Sequence, residues 1–154
     1  LMLYSVLVIG SFGVVTVVAR DSDGDSNLDA FKGLARRRPA LALAFTVFLL
    51  AQAGVPLTSG FIAKFGVIQA AVEVDSYAIA LIAMVTAVIA AYLYLRIMVT
   101  MWLGEPAGGE TPEPLAVPFS AGVAIGVAVA FTLVVGILPG WLIDAADQVT
   151  SYAR

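Results

Sequence analysis

The chain has 154 residues, of which 61% are hydrophobic and 12% are charged, and its formal net charge is −3. A typical soluble chain is roughly 45–50% apolar and about 25% charged. We therefore predict that lipid, not a buried core, surrounds most of this chain. The absence of cysteine and histidine excludes disulfides and disfavours iron–sulfur and zinc sites. No polybasic patch of the kind that binds nucleic acid is present.

Four apolar stretches each reach the roughly 17–25 residues that a helix needs to cross a bilayer. They run over about 1–19, 40–72, 77–103 and 115–141. The sequence therefore predicts an all-α integral membrane domain with four transmembrane helices, followed by an amphipathic C-terminal tail at 142–154. The chain opens on Leu1 without the charged segment and cleavage site of a secretory signal. We expect it to begin within a helix of a larger protein.

The charges between these stretches predict an orientation in the membrane. The second connecting segment carries only Glu73 and Asp75, whereas five basic residues crowd the first, 20–39: Arg20, Lys32, Arg36, Arg37 and Arg38. The positive-inside rule places this basic loop in the cytoplasm and the C-terminus outside. Within the loop, segment 28–36 has Leu28, Phe31 and Leu34 at helical spacing, which predicts an amphipathic helix on the membrane surface.

The second stretch is too long for one straight crossing. About 33 residues of helix would span about 50 Å, against a hydrocarbon core of about 30 Å. The segment from Gly54 to Gly60 predicts a break, because Pro56 removes a backbone donor and the hydroxyls of Thr58 and Ser59 can serve freed carbonyls. We expect two half-helices, 40–53 and 61–72. Irregular backbone survives at this depth only inside protein or beside a water-filled cavity, so we expect function here.

The candidate catalytic residue is Lys64, one turn beyond the predicted break. Some 13 Å of helix separate it from the outer end at Glu73, which exceeds the reach of a lysine. An ammonium at mid-membrane costs roughly 2.5–3.5 kcal/mol, so such residues normally face the protein interior and lie on ion or proton paths. Because burial favours the neutral amine, Lys64 can exchange a proton. We interpret it as a proton relay. The alternative is a structural plug that binds loosened carbonyls near Ser59 and Gly60.

Four further polar side chains are candidates for lining a path to this lysine: Gln52, Gln69, Tyr92 and Tyr94. The two glutamines, with the hydroxyls of the break, could order waters. They could equally make ordinary interhelical hydrogen bonds, worth about 0.6 kcal/mol each. The two tyrosines either line a cytoplasmic half-path or anchor the helix at the interface, and anchoring is our interpretation for Arg96.

Three sequence motifs resemble one known family. Residues 33–39 read GLARRRP, residues 53–65 read AGVPLTSGFIAKF, and residues 91–96 read AYLYLR. They resemble the antiporter-like membrane subunits of respiratory NADH:quinone oxidoreductase, or complex I, and among these the subunit N members. In that family a loop with GL…RRP precedes a discontinuous helix reading A/S-G-x-P-x-T-x-G-F-x-x-K-F. The resemblance covers essentially all of the chain.

The resemblance implies a fourteen-helix subunit of the bacterial cell membrane with two inverted five-helix repeats. This chain is similar to its last four helices, and Lys64 corresponds to the lysine taken to gate the outer half of a proton channel. The implied function is proton translocation coupled to quinone reduction. NADH, flavin, iron–sulfur clusters and quinone would then belong to other subunits, and none of these cofactors to this chain. The implied partners are other membrane-arm subunits, the missing N-terminal helices and lipid.

Other readings stay open. The Mrp-type cation/proton antiporter subunits share much of the motif, including the lysine, although Thr58 and the Arg-Arg-Arg-Pro run favour the respiratory subunit. A structural membrane scaffold is the third hypothesis. The family's other proton-handling residues, a glutamate and lysine pair and a central lysine on earlier helices, have no counterpart here. The chain is therefore expected to be a fragment of a longer product or a truncated one.

Overall fold

The structure, a computed structural model, describes residues 2–22, 27–105, 114–138 and 140, and within them it is helical without strands. The helices are α1 (Met2–Asp21), α2 (Leu34–Arg37), α3 (Pro39–Ala53), α4 (Ser59–Glu73), α5 (Tyr77–Leu103) and α6 (Phe119–Ile137). A 3₁₀ turn, Leu28–Phe31, precedes α2. The predicted C-terminal tail, 142–154, and the end of the predicted span at Trp141 lie outside the described residues.

Three of the described helices are long and apolar enough to cross a membrane: α1, α5 and α6. Helices α3 and α4 have 15 residues each. A helix of that length is only about 22 Å long, which is less than the roughly 30 Å of a hydrocarbon core. Each of these two helices is therefore too short to complete a crossing alone.

The core of the described bundle lies around α1, which contacts α3, α4 and α6, while α3 packs against α5. The fully buried side chains include Leu7 and Val14 of α1 and Phe48 of α3. Gly10 of α1 leaves room for the Phe48 ring, whose edge fills the place that a β-carbon would take. In contrast, α5 exposes most of its side chains. Its apolar outer surface requires lipid or further protein as a cover.

The basic loop forms one end of the bundle. Gly33 adopts a left-handed φ of 69° and separates the 3₁₀ turn from α2, so segment 28–36 is two short turns where the sequence predicted one amphipathic helix. Phe31 stacks on Phe45 of α3 with the ring centroids 5.5 Å apart. Arg37 forms an ion pair with Asp21 at the end of α1. These contacts fasten the loop to the two helices that it joins.

Replacing Gly10 by valine is expected to destabilise the packing of α1 on α3. The added side chain would collide with the buried Phe48 ring, and overpacking of this kind costs typically 1–3 kcal/mol. Thermal denaturation of the full-length protein in detergent should show a lower Tm. Gly126→Val is the matched control, because nothing lies within 4 Å of a β-carbon at Gly126. Equal Tm values for the two variants would contradict the predicted contact.

Candidate functional site

The C-terminal end of α3 is set by Gly54, which has a left-handed φ of 87°. Its N–H donates to the carbonyls of Leu50 and Ala51 at 3.1 and 3.0 Å, and the N–H of Val55 donates to Leu50 at 3.1 Å. This pattern of reversed bonds is the usual end of a helix at glycine. The last carbonyls of α3, including that of Ala53, have no N–H donor within the helix and need other hydrogen-bond donors.

Between the two helices, the chain turns through a strained residue. Leu57 has a positive φ of 68°, a conformation that costs roughly 1–2 kcal/mol for a residue with a side chain. The Thr58 hydroxyl donates to the carbonyl of Val55 at 2.6 Å, and the N–H of Phe61 donates to the carbonyl of Thr58 at 3.2 Å. The hydroxyl therefore closes the turn internally, and α4 begins without a side-chain cap.

Lys64 reaches back across this turn to α3. Its Nζ donates a hydrogen bond to the carbonyl oxygen of Ala53 at 3.1 Å. Its Cδ passes 3.0 Å from the place where a β-carbon on Gly54 would lie. The ammonium thus meets the C-terminal end of α3, where the unpaired carbonyls carry partial negative charge that stabilises a cation.

A groove of about 580 Å³ surrounds the lysine, with walls from α1, α3, α4 and α5. Of the predicted residues, it brings together Lys64, Gln52, Tyr94 and Gly60. Most of the remaining lining is aliphatic. The groove is therefore a mainly apolar space with one amine and few polar groups, the setting in which a proton's location depends strongly on neighbouring dipoles.

Two polar residues of the groove were missed by the sequence analysis, Tyr4 of α1 and Thr86 of α5. The Thr86 hydroxyl donates to its own helix, at 2.9 Å from the carbonyl oxygen of Ile82 and 3.0 Å from that of Ala83. No local signal singles out either residue. Their place in the groove follows from the way that α1 and α5 pack around Lys64.

The other predicted residues lie elsewhere. Gln69 donates to the Glu73 carboxylate at 3.0 Å on an exposed surface, and Tyr92 is 64% exposed. Neither lines the groove. Pro56 is exposed within the turn. Gln52 uses its amide to bind Ser11 of α1, so it links two helices as well as lining the groove.

The first residues of α4 are enclosed by neighbouring helices. Gly60 packs so closely on α3 that a β-carbon there would collide with the Ala51 carbonyl, and a β-carbon on Gly136 of α6 would collide with the Leu57 carbonyl. Ser59 is fully buried, and its hydroxyl has no hydrogen-bond partner within the described part of the chain. The turn is thus held between α3 and α6 by contacts that only glycine permits.

Within residues 2–22, 27–105, 114–138 and 140, no group of three or more metal-ligating side chains is present. The polar side chains that line the groove supply an amine, two phenols, a hydroxyl and an amide. Such groups can bind and pass protons.

Replacing Gly60 by alanine is expected to push the start of α4 away from α3, because the new methyl group meets backbone and not a flexible side chain. Since Lys64 follows one turn later, its bond to Ala53 should lengthen or break. We expect reduced assembly and a lower Tm in the full-length protein. Gly66→Ala in the same helix is the control, since nothing lies within 4 Å of a β-carbon there. Identical behaviour of both variants would argue against this close approach.

Comparison with known proteins identifies the family. Residues 1–90 match the family described as "NADH:quinone oxidoreductase/Mrp antiporter, TM". NADH-quinone oxidoreductase subunit N of Rhodococcus opacus (strain B4) is 42% identical over 155 residues, covering 100% of this chain and 28% of the relative. Subunit N 3 of Streptomyces griseus is 43% identical over 159 residues, with coverages of 100% and 28%. The chain thus spans under a third of the length of these relatives.

The fold agrees with this assignment. A chain of respiratory complex I from Thermus thermophilus with bound aureothin superposes with a TM-score of 0.66 at 27% identity, covering 87% of this chain and 32% of that chain. The helices therefore have the arrangement of a complex I membrane subunit, and the chain is a multi-pass membrane protein. It belongs to the NADH:quinone oxidoreductase/Mrp antiporter family, and it is similar to the subunit N members of that family.

Proposed function

We propose that this chain is the C-terminal part of a proton-translocating membrane-arm subunit of NADH:quinone oxidoreductase, in which Lys64 binds and releases protons. The observation that carries the proposal is the hydrogen bond from Nζ of Lys64 to the Ala53 carbonyl inside an apolar groove. A lysine at this depth is expensive and typically functional. The names of the similar relatives supply the reaction, NADH oxidation by a quinone.

In this proposal α3 and α4 form one interrupted crossing of the membrane. Together with α1, α5 and α6 they give four crossings, the second broken between Ala53 and Ser59. The shortness of each half and the internal hydrogen bonds of the turn support this arrangement. Half-helices that meet near the midplane present opposite ends of their dipoles to the same point, and membrane transporters use such points to bind ions.

The local electrostatics permit both states of the amine. The charged form is stabilised by the carbonyls at the end of α3, and the neutral form by the apolar walls of the groove. A change of charge elsewhere in a membrane arm could shift the balance between them. Such a shift moves a proton without any redox group in this chain.

The proposal assigns the remaining parts of the path to partners. NADH and quinone would react in other subunits, and the rest of the proton path would lie on helices of the longer protein. The open side of the groove is the place where such helices would supply the next proton-binding groups. We propose the bacterial inner membrane as the location, with the basic loop in the cytoplasm.

A second candidate is a subunit of an Mrp-type cation/proton antiporter, because the matched family includes both kinds of protein. The same lysine would then respond to a cation gradient and not to NADH oxidation. The source of energy that drives proton movement separates the two candidates.

Replacement of Lys64 by methionine or arginine tests the proposal. Methionine removes the exchangeable proton, and arginine keeps the charge but does not deprotonate in proteins. We expect both variants to assemble and to lose most NADH-driven proton pumping in inverted membrane vesicles, with native gels as the assembly check. Lys32→Met is the control, because Lys32 pairs with Asp29 at 2.7 Å in the basic loop.

Each outcome has a separate meaning. Normal pumping with Lys64→Met would refute the relay and leave a structural role. If Lys64→Arg pumps normally and Lys64→Met does not, a fixed positive charge suffices, and Lys64 acts as the structural plug. Proton movement that follows a sodium gradient and ignores NADH would support the antiporter candidate.

The proposed orientation is tested with cysteine labelling, since the chain contains no cysteine of its own. Lys32→Cys in the basic loop should react with a membrane-impermeant maleimide in inverted vesicles, because their outer surface is the cytoplasmic one. Asp75→Cys, at the turn between α4 and α5, should react in right-side-out vesicles. Mass spectrometry of the subunit identifies the labelled residue. The reverse pattern would overturn the assigned orientation.

A further inference from the structure

The amide of Gln52 is held in one orientation by a short hydrogen-bonded chain. Its Nε2 donates to the hydroxyl oxygen of Ser11 on α1, and that hydroxyl donates in turn to the carbonyl oxygen of Leu7 at 2.8 Å. A serine hydroxyl has a single hydrogen, and here the Leu7 carbonyl takes it. Ser11 can therefore only accept from Gln52, so the NH₂ end of the amide faces Ser11. The carbonyl end, Oε1, is turned away from Ser11.

Gln52 lines the same groove as Lys64 and directly precedes Ala53, whose carbonyl holds the lysine. The ammonium has three donors, and the structure uses one of them for the Ala53 carbonyl. An amide carbonyl accepts up to two hydrogen bonds and carries no charge, so it can hold an ammonium without fixing it permanently. The oriented Oε1 of Gln52 is an acceptor of this kind.

The rest of the groove offers few competitors. The titratable side chains that line it, besides Lys64, are Tyr4 from α1 and Tyr94 from α5, and the polar side chain that α3 contributes is the neutral Gln52. No carboxylate is among the described lining residues. The hydroxyl oxygens of Tyr4, Tyr94 and Thr86 are the other neutral side-chain acceptors of the lining, and Thr86 also donates to its own helix. Among the described lining residues, the charge of the lysine is therefore stabilised by neutral dipoles and not by an opposite charge.

We propose that Gln52 is a positioning residue for Lys64, whose amide carbonyl gives the ammonium a second holding point beside the Ala53 carbonyl. This inference rests on the proposed function of Lys64. In it, the lysine arm alternates between the end of α3 and the groove, and Ser11 keeps the acceptor end of Gln52 available. Loss of that acceptor disfavours the charged form in the groove, whereas a carboxylate in its place favours it.

The test is the pH profile of NADH-driven proton pumping in complexes that carry Gln52→Leu or Gln52→Glu. With leucine, the alkaline limb of the pumping profile should move to lower pH by about one unit. The reason is that loss of one acceptor destabilises the protonated amine by about the equivalent free energy. With glutamate, a side chain of nearly equal size, the limb should move higher by a similar amount. Pumping should also fall several-fold with leucine.

Thr46→Val is the matched control. Thr46 lies on the same helix and also makes an interhelical bond, accepting from Nε1 of Trp102 at 2.9 Å, but it does not line the groove. The pH profile of proton pumping by Thr46→Val should match that of the wild type. If only the bond between α1 and α3 matters, Gln52→Leu will behave as Thr46→Val does.

The outcomes separate this inference from the function on which it rests. If both Gln52 variants keep the wild-type profile while Lys64→Met is inactive, the positioning role is wrong and the relay stands. If Lys64→Met pumps normally, the proposed function itself fails. Should Gln52→Leu not assemble, the near-isosteric Gln52→Glu decides alone, and an unshifted profile overturns the role.

Discussion

If α3 and α4 form the interrupted crossing proposed above, the hydrogen bond between Lys64 and the Ala53 carbonyl meets a strict requirement, because lipid offers no hydrogen bonds to an exposed backbone. An interruption such as the one between α3 and α4 must therefore satisfy its polar groups internally. The N–H of Gly54 donates to carbonyls at the end of α3. The Thr58 hydroxyl donates to the Val55 carbonyl, and Lys64 donates to the Ala53 carbonyl. The group that carries the candidate chemistry thus also helps to make the break possible.

In the proposed function, Lys64 therefore has two roles, one as a hydrogen-bond donor to the backbone and one as a carrier of protons. If Lys64 only donated a hydrogen bond to the carbonyl, another strong hydrogen-bond donor could replace it. A lysine that also exchanges protons must be able to leave the carbonyl, and it needs both space and another acceptor. The groove provides the space, and the oriented amide of Gln52 is the acceptor that we propose among the described lining residues. Its mainly aliphatic walls make the position of the charge sensitive to small changes in the field.

Sequence reasoning anticipated the features that are determined locally. Gly54 acts on its own backbone, so a helix over 40–53 could be predicted, and α3 covers Pro39–Ala53. The walls of the groove could not be predicted. Tyr92 and Tyr94 are only two positions apart, yet they are about 200° apart around the helix. Because α5 is apolar on all sides, no amphipathic pattern showed which tyrosine faces Lys64.

The two close glycine contacts of the turn have a mechanical consequence. Gly60 rests on the backbone of Ala51, and Gly136 rests on that of Leu57, so the break is clamped by main chain on two sides. Bending at this point would require both contacts to separate at once. The flexible element is then the four-carbon arm of the lysine. If Lys64 carries protons as proposed, the charge at this site can therefore move no farther than the length of that side chain.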